Sequence, residues 1–360
     1  ERLKSIQRIR YPPFDHSNID PKKIPITEVV MVSNSKPPDP FRIGTDDGWL
    51  VEWKVYDEKH GNLPVIESVT TIATPPFLMR TRNGWYIDPD PLHSIARKTI
   101  APTVAILIIS LFIHAIAPAI DSLPILSIFT ERSLQIGPLD YPLLLFFTFP
   151  IFLIPIILRM IANMRDIKRQ NYFISKPLED PIIDFTINDQ SIEINAVKMP
   201  VGVKGEFVTL QVGVAIPERS VLLETSKRKE NGQPPPGMST PLTDRRITTA
   251  EEHGTGVGES TPLPVEYSRI LLLEPLRVRK KGPKSKLSEQ YPIQVMGPEE
   301  RWPGTVYSSL IALHWELMIN AKRNNSRMTW VKPIIMPSGE EPVNIDFLPV
   351  GSARVEDSDE

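Results

Sequence analysis

Apolar and polar positions interleave over short distances along most of this chain, and the interleaving stops twice. Residues 99–120 and 141–158 carry no Asp, Glu, Lys or Arg. Wound as a helix, the first stretch is about 33 Å long, enough to cross a hydrocarbon core of roughly 30 Å. The second is about 27 Å by the same measure, and it extends to 164 if Arg159 reaches its charged head to the interface. The pattern predicts an integral membrane protein. A transmembrane helix over 99–120, a short external loop over 121–140 and a second helix over 141–164 make a hairpin. Pro150 and Pro155 lie inside the second helix, where a missing backbone donor favours a bend.

Thr103, Leu107, Ser110 and His114 follow one another at spacings of four and three, so they share a helical face. Lipid offers no hydrogen-bond partner. Thr103, Ser110 and His114 are therefore expected to form an intramembrane polar face packed against protein. His114 admits two readings: a neutral ring bonded across the hairpin, or a group on a transport path. Two helices cannot enclose a path, so the second reading needs an oligomer.

The flanks read as β structure. Residues 1–40 form a Pro-rich arm interrupted by one strand at 26–32. Residues 41–95 contain an aromatic strand at 49–56, a turn at 59–62, a strand at 65–73, and a hairpin of 77–82 with 85–88 around Asn83-Gly84. Residues 178–225 contain a hairpin of 182–187 with 191–197. A strand at 206–216 follows, with Val208, Leu210, Val212, Val214 and Ile216 on one face. Each β-rich segment is small alone, so the two are read as one sandwich- or barrel-like soluble domain into which the hairpin is inserted.

Residues 226–264, with Gln233-Pro234-Pro235-Pro236-Gly237, have the composition of a disordered linker. Residues 265–350 read as a small α+β part. Its one helix is predicted over 305–322, with Val306, Leu310, Leu313 and Leu317 on one side. Residues 351–360 are an acidic tail.

Charge adds topology. Arg97 and Lys98 precede the first span, and Arg159, Arg165, Lys168 and Arg169 follow the second. The connecting loop holds Arg132 against Asp121, Glu131 and Asp140. The positive-inside rule places both flanks in the cytoplasm. Overall, 41 basic residues nearly balance 43 acidic ones, for a net charge of −2, so no globally electrostatic partner is implied. The 38 prolines favour extended segments and turns over long soluble helices. The absence of cysteine excludes disulfides, thiol catalysis and thiolate metal sites.

Candidate chemistry is sparse. Arg277, Arg279, Lys280, Lys281, Lys284 and Lys286 form a basic run without an acid, suited to anionic lipid head groups. No aromatic residues interleave them, which argues against nucleic acid. The glycines around His253 lack the strand, helix and lysine of a phosphate cradle. His16, His60, His93 and His314 show no metal-ligand spacing. On the predicted helix, His314 and Glu316 stand two positions apart and do not share a face. Asn324-Asn325-Ser326 matches a glycosylation acceptor, which a cytoplasmic flank would leave unused. No catalytic, cofactor or metal residues are assigned. The chain reads as a non-enzymatic structural, scaffold or assembly subunit of a larger membrane complex, with other subunits and the bilayer as its partners. Transport through His114, or an enzyme site in the β-rich domain, are the alternatives.

Overall fold

The computed structural model describes residues 3–10, 20–56, 83–120, 133–215, 261–262 and 278–346, apart from 25, 35, 89, 137, 289, 309, 325 and 340. The chain divides into two compact units. The described parts of 1–88, 176–253 and 261–360 form a β-rich unit, and those of 89–175 form a helical one. The strands expected at 65–73 and 77–82, most of the linker and the acidic tail lie outside the described residues.

In the helical unit, α1 (Leu92–Ile120) and α2 (Leu143–Ser175) are antiparallel partners. Among the described residues, these are the two helices long and apolar enough to cross a membrane. Both run beyond the expected spans at the polar end, and α2 continues through Pro150 and Pro155.

The β-rich unit is built from β1 (Leu3–Arg10), β2 (Thr27–Ser33), β3 (Phe41–Gly44), β4 (Leu50–Val55) and β5 (Gly84–Ile87) before the helices. The short ribbon β6 (Ser133–Ile136) with β7 (Leu139–Pro142) belongs to the helical unit. After the helices come β8 (Ile182–Asn188), β9 (Ser191–Lys198), β10 (Lys204–Ala215), β11 (Thr261–Pro262), β12 (Val278–Lys281) and β13 (Ser285–Lys286). The last five are β14 (Ile293–Met296), β15 (Val306–Tyr307), β16 (Ala312–Arg323), β17 (Ser326–Ile334) and β18 (Val343–Ile345).

Among its described residues the β-rich unit has three sheets. One has the order β18-β3-β4-β1-β2, with β18 parallel to β3. The largest has the order β11-β5-β17-β16-β10-β12, with β13 on β10 and β15 on β16. The third is β14-β9-β8. The strands β5, before the helices, and β10, after them, thus share one sheet. They are not neighbours: β17 and β16 from the C-terminal segment stand between them. Segments 41–88 and 178–215 thus belong to one compact unit, and the C-terminal segment supplies the centre of their shared sheet.

Several expected strands appear with nearly the expected bounds. The β8–β9 hairpin turns at Asp189-Gln190, with Asp189 at φ 49° and Asn188 paired to Ser191. On β10, Val208, Leu210 and Val212 are fully buried and Val214 nearly so. Gly44 turns the chain from β3 into β4 at φ 91°, where a Cβ would run into the Trp49 carbonyl.

Two expectations are corrected. The arm over 1–40 contains β1, paired on both sides by β2 and β4. Its buried Ile6 and Ile9 are three apart, so alternation does not reveal the strand. The helix predicted over 305–322 is instead the strand β16, preceded by β15. Leu313, Trp315, Leu317, Ile319 and Ala321 line one face, and His314, Glu316, Met318 and Asn320 the other. Both faces are covered: every residue from Ala312 to Met318 is buried. A strand with two buried faces mixes apolar residues into both, and here Leu310, Leu313 and Leu317 match a helical stripe by coincidence.

Candidate functional site

The helical unit is held together along a seam. Thr148 Oγ1 donates to Ser110 Oγ at 3.0 Å, and both residues are buried. His93 Nε2 meets Asp166 Oδ2 at 2.8 Å. The antiparallel register fixed by these two contacts sets Thr103 at the level of Pro155 and Ala96 at that of Ala162, and all four are buried. The seam therefore repeats every seven residues with small side chains, which lets two backbones approach closely. Thr103 spends its hydroxyl on its own helix, donating to the carbonyls of Thr99 and Ile100 at 2.8 and 3.0 Å.

Of the polar face expected on α1, Thr103 and Ser110 are in the seam. His114 is not: it is exposed on α1. Four residues after Ser110 the helix has advanced 400°, and the seam follows the seven-residue spacing through Ala96, Thr103 and Ser110 rather than the four-residue step.

At the other end of the hairpin sits a polar cluster that sequence reasoning missed. Asp90 precedes α1. Its Oδ1 accepts from the Leu92 backbone N–H at 3.0 Å, and its carbonyl accepts from His93 N–H at 2.9 Å. Its Oδ2 accepts from Arg169 at 2.6 Å, with Arg165 at 3.8 Å. Asp166 takes His93 on one oxygen and Arg169 on the other, the latter at 3.4 Å. The Asp90 side chain is 1 % exposed. A charge so enclosed requires a charged partner, and Arg169 supplies it. The cluster is a clamp that fixes the base of the hairpin. Its only sequence signal is an acid two residues before a helix, facing cations on a distant one.

The β-rich unit has its own enclosed polar chain. On a strand, residues two apart share a face, so β16 brings together the two side chains that a helix would separate. His314 Nε2 lies 3.2 Å from Glu316 Oε1, and both side chains are fully buried. Tyr307 OH meets His314 Nδ1 at 2.7 Å. Gln211, opposite Glu316 in register, donates to its Oε2 at 3.4 Å. The Nε2–Oε1 approach is a close contact without hydrogen-bond alignment, and the hydrogen bond of the ring is the one that Nδ1 shares with the phenol. Burial, with the Glu316 charge in addition, holds the Tyr307 phenol well above its usual range. The chain resembles a relay in its donors and acceptors, but its two central members have no exposed surface to offer a substrate.

The basic run is divided by the pleat. Arg279 stands opposite Gly213 and Lys281 opposite Gln211, on the face that carries His314 and Glu316. Lys286, opposite Phe207, shares that face. Lys280 stands opposite Val212 on the other face, with its Nζ 3.4 Å from Glu300. Lys284 lies in the connection between β12 and β13 and is exposed, and Arg277 lies outside the described residues. The run forms an edge of the large sheet, where lysines discourage pairing with foreign strands.

Among the described residues, no group of three or more His, Asp and Glu side chains is arranged to hold a metal ion. A shallow depression between Pro38–Phe41, Pro303-Gly304 and the segment around Gly339 is enclosed too little to hold a substrate. No known protein family, curated protein or solved structure matches the chain.

Proposed function

We propose that the chain is a membrane-anchored, non-enzymatic subunit: α1 and α2 cross the bilayer as a hairpin, and the β-rich unit is held in the cytoplasm to bind other subunits of a larger assembly. One observation carries the anchoring. The uncharged stretch of α1 ends at Lys98 and that of α2 at Arg159, positions far apart in sequence. The register set by Ser110–Thr148 and His93–Asp166 brings both endings to one level along the hairpin. A shared boundary between apolar and cationic surface is what a membrane interface requires, and a soluble helix pair has no need of it.

Two further features support it. Beyond the seam, large apolar side chains face outward all along the hairpin, Ile108, Ile109, Phe112, Phe147, Phe149 and Ile156 among them. In water such a surface would drive association, whereas in lipid it is the ordinary exterior. The hydroxyls of Ser110 and Thr148 are paired with each other, as a medium without water demands.

The subunit role is supported by the enclosure of the polar chain in β16, whose central members His314 and Glu316 reach no surface from which to act on a substrate. A transport path along the exposed His114 would have to be lined by another molecule. The test is extraction of native membranes, first with alkaline carbonate and then with mild detergent, followed by mass spectrometry of associated chains. The proposal expects retention in carbonate and near-stoichiometric partners in detergent. Release by carbonate would end the anchoring, and recovery of this chain alone would end the subunit role.

A further inference from the structure

Resting on the membrane anchoring proposed above, we infer that the base of the hairpin, and not the basic run of β12 and β13, gathers anionic phospholipid head groups. The starting point is a separation of charge within the helical unit. Helices α1 and α2 carry six cations, Arg97, Lys98, Arg159, Arg165, Lys168 and Arg169, and one acid, Asp166. Asp90 adds a second acid just before α1. Both acids are turned into the seam and bound there, Asp90 by Arg169 and Asp166 by His93 and Arg169. Lys98, Arg159 and Lys168 are exposed, as is Arg165, whose guanidinium is only 3.8 Å from the enclosed Asp90.

The geometry makes these cations a belt. Lys98 and Arg159 mark the ends of the two uncharged stretches at one level. Arg165 and Lys168 lie about 1.7 and 2.5 turns further from the apolar zone, at roughly 9 and 14 Å along the axis. The head-group layer beside a hydrocarbon boundary is roughly 5–8 Å thick, so Lys98 and Arg159 stand at its inner edge, and Arg165 and Lys168 lie just outside it, within about a Debye length of its charge. Cations spread around a helix pair at this level meet many lipids briefly instead of gripping one ligand. Their shared chemistry with the bilayer is charge, and the partner is a head group bearing net negative charge. The β12–β13 run differs on each count. Its cations are divided between two faces of a sheet, and Lys280 is engaged by Glu300.

The test uses the full chain reconstituted in vesicles of phosphatidylcholine with one-fifth phosphatidylglycerol, and spin-labelled versions of each lipid. The fraction of label immobilised by protein is read by electron paramagnetic resonance. The inference expects a several-fold preference for the phosphatidylglycerol label, reduced by 0.5 M salt as screening shortens the reach of charge. It expects the preference to vanish in a Lys98→Gln, Arg159→Gln, Lys168→Gln variant. A Lys280→Gln, Lys284→Gln, Lys286→Gln variant should keep it. Equal immobilisation of both labels in the unaltered chain overturns the inference while leaving the anchoring intact. Loss of the preference only in the second variant transfers the site to the β12–β13 run and also overturns it. Immobilisation of neither label overturns the anchoring itself, and the inference falls with it.

Discussion

The hairpin seam and the strand β16 both bury polar side chains, and they do so with different repeats. The seam repeats every seven residues and uses small groups, Ser110 against Thr148 and Thr103 beside Pro155. Strand β16 repeats every two and uses large ionisable ones, His314 and Glu316, linked to Tyr307 and Gln211. In the seam a hydroxyl pair adds little energy but lets backbones approach. In the sheet a buried carboxylate is costly alone, so its neighbours must be right. The seam should therefore tolerate the loss of one polar atom, and the sheet should not.

The largest expected effect tests the sheet. Glu316→Ala leaves Gln211 without its acceptor and His314 without its carboxylate neighbour, and each buried polar group so stranded costs about 1–3 kcal/mol. Chemical unfolding followed by tryptophan fluorescence should report it, since all six tryptophans lie outside the helices. A loss below about 1 kcal/mol would mean that the polar chain contributes nothing to the fold.

Asp90→Ala comes next. It removes a helix cap and leaves Arg169 without its main partner, at an expected cost of about 2 kcal/mol to the pairing of the helices. The helical circular dichroism of detergent-solubilised protein should melt earlier. An unchanged melt would show that Asp166 alone suffices for the clamp.

The Tyr307 phenol gives a pH signature. Its proton is held more tightly folded than unfolded, so its contribution to stability is complete below the ordinary phenol range and fades as pH rises above about 10. Tyr307→Phe should lower stability at pH 8 and flatten the decline between pH 9 and 11 relative to the unaltered chain. A parallel decline in both would dissociate Tyr307 from it.

The smallest effect belongs to the seam. Ser110→Ala should cost only ~0.6 kcal/mol, the average for a hydrogen bond between membrane helices. Ser110→Leu should cost several times more by forcing the backbones apart. If both substitutions were equally mild, the close approach of the helices would not depend on small residues.

Legibility in the sequence followed how much of each pattern lies on one face. The two uncharged stretches are long and unmixed, and their helices were evident. Strand β10 was evident because its apolar face is complete. Strand β16 was misread although Leu313-His314-Trp315-Glu316-Leu317 alternates, because Leu310, Leu313 and Leu317 also fit a helical stripe. That single misreading hid the polar chain, since it placed His314 and Glu316 on different faces. The clamp at Asp90 was invisible for another reason: its members are about 75 residues apart and only the hairpin register unites them. The four- and three-residue spacing does put Thr103 and Ser110 on one helical side, and both are buried in the seam. His114 is exposed, because a seam of seven-residue period leaves its position after one further turn.

The central claim is that the hairpin crosses a bilayer with both flanks on one side. Because the chain has no cysteine, single cysteines can be introduced at Ile109 in the apolar zone and at Asn188 in the β8–β9 turn. Sealed inside-out and right-side-out vesicles are then exposed to a membrane-impermeant maleimide. The account predicts that Ile109→Cys resists labelling in both, while Asn188→Cys is labelled only when the cytoplasmic face is outside. Ready labelling of Ile109→Cys in intact vesicles of either orientation would contradict it.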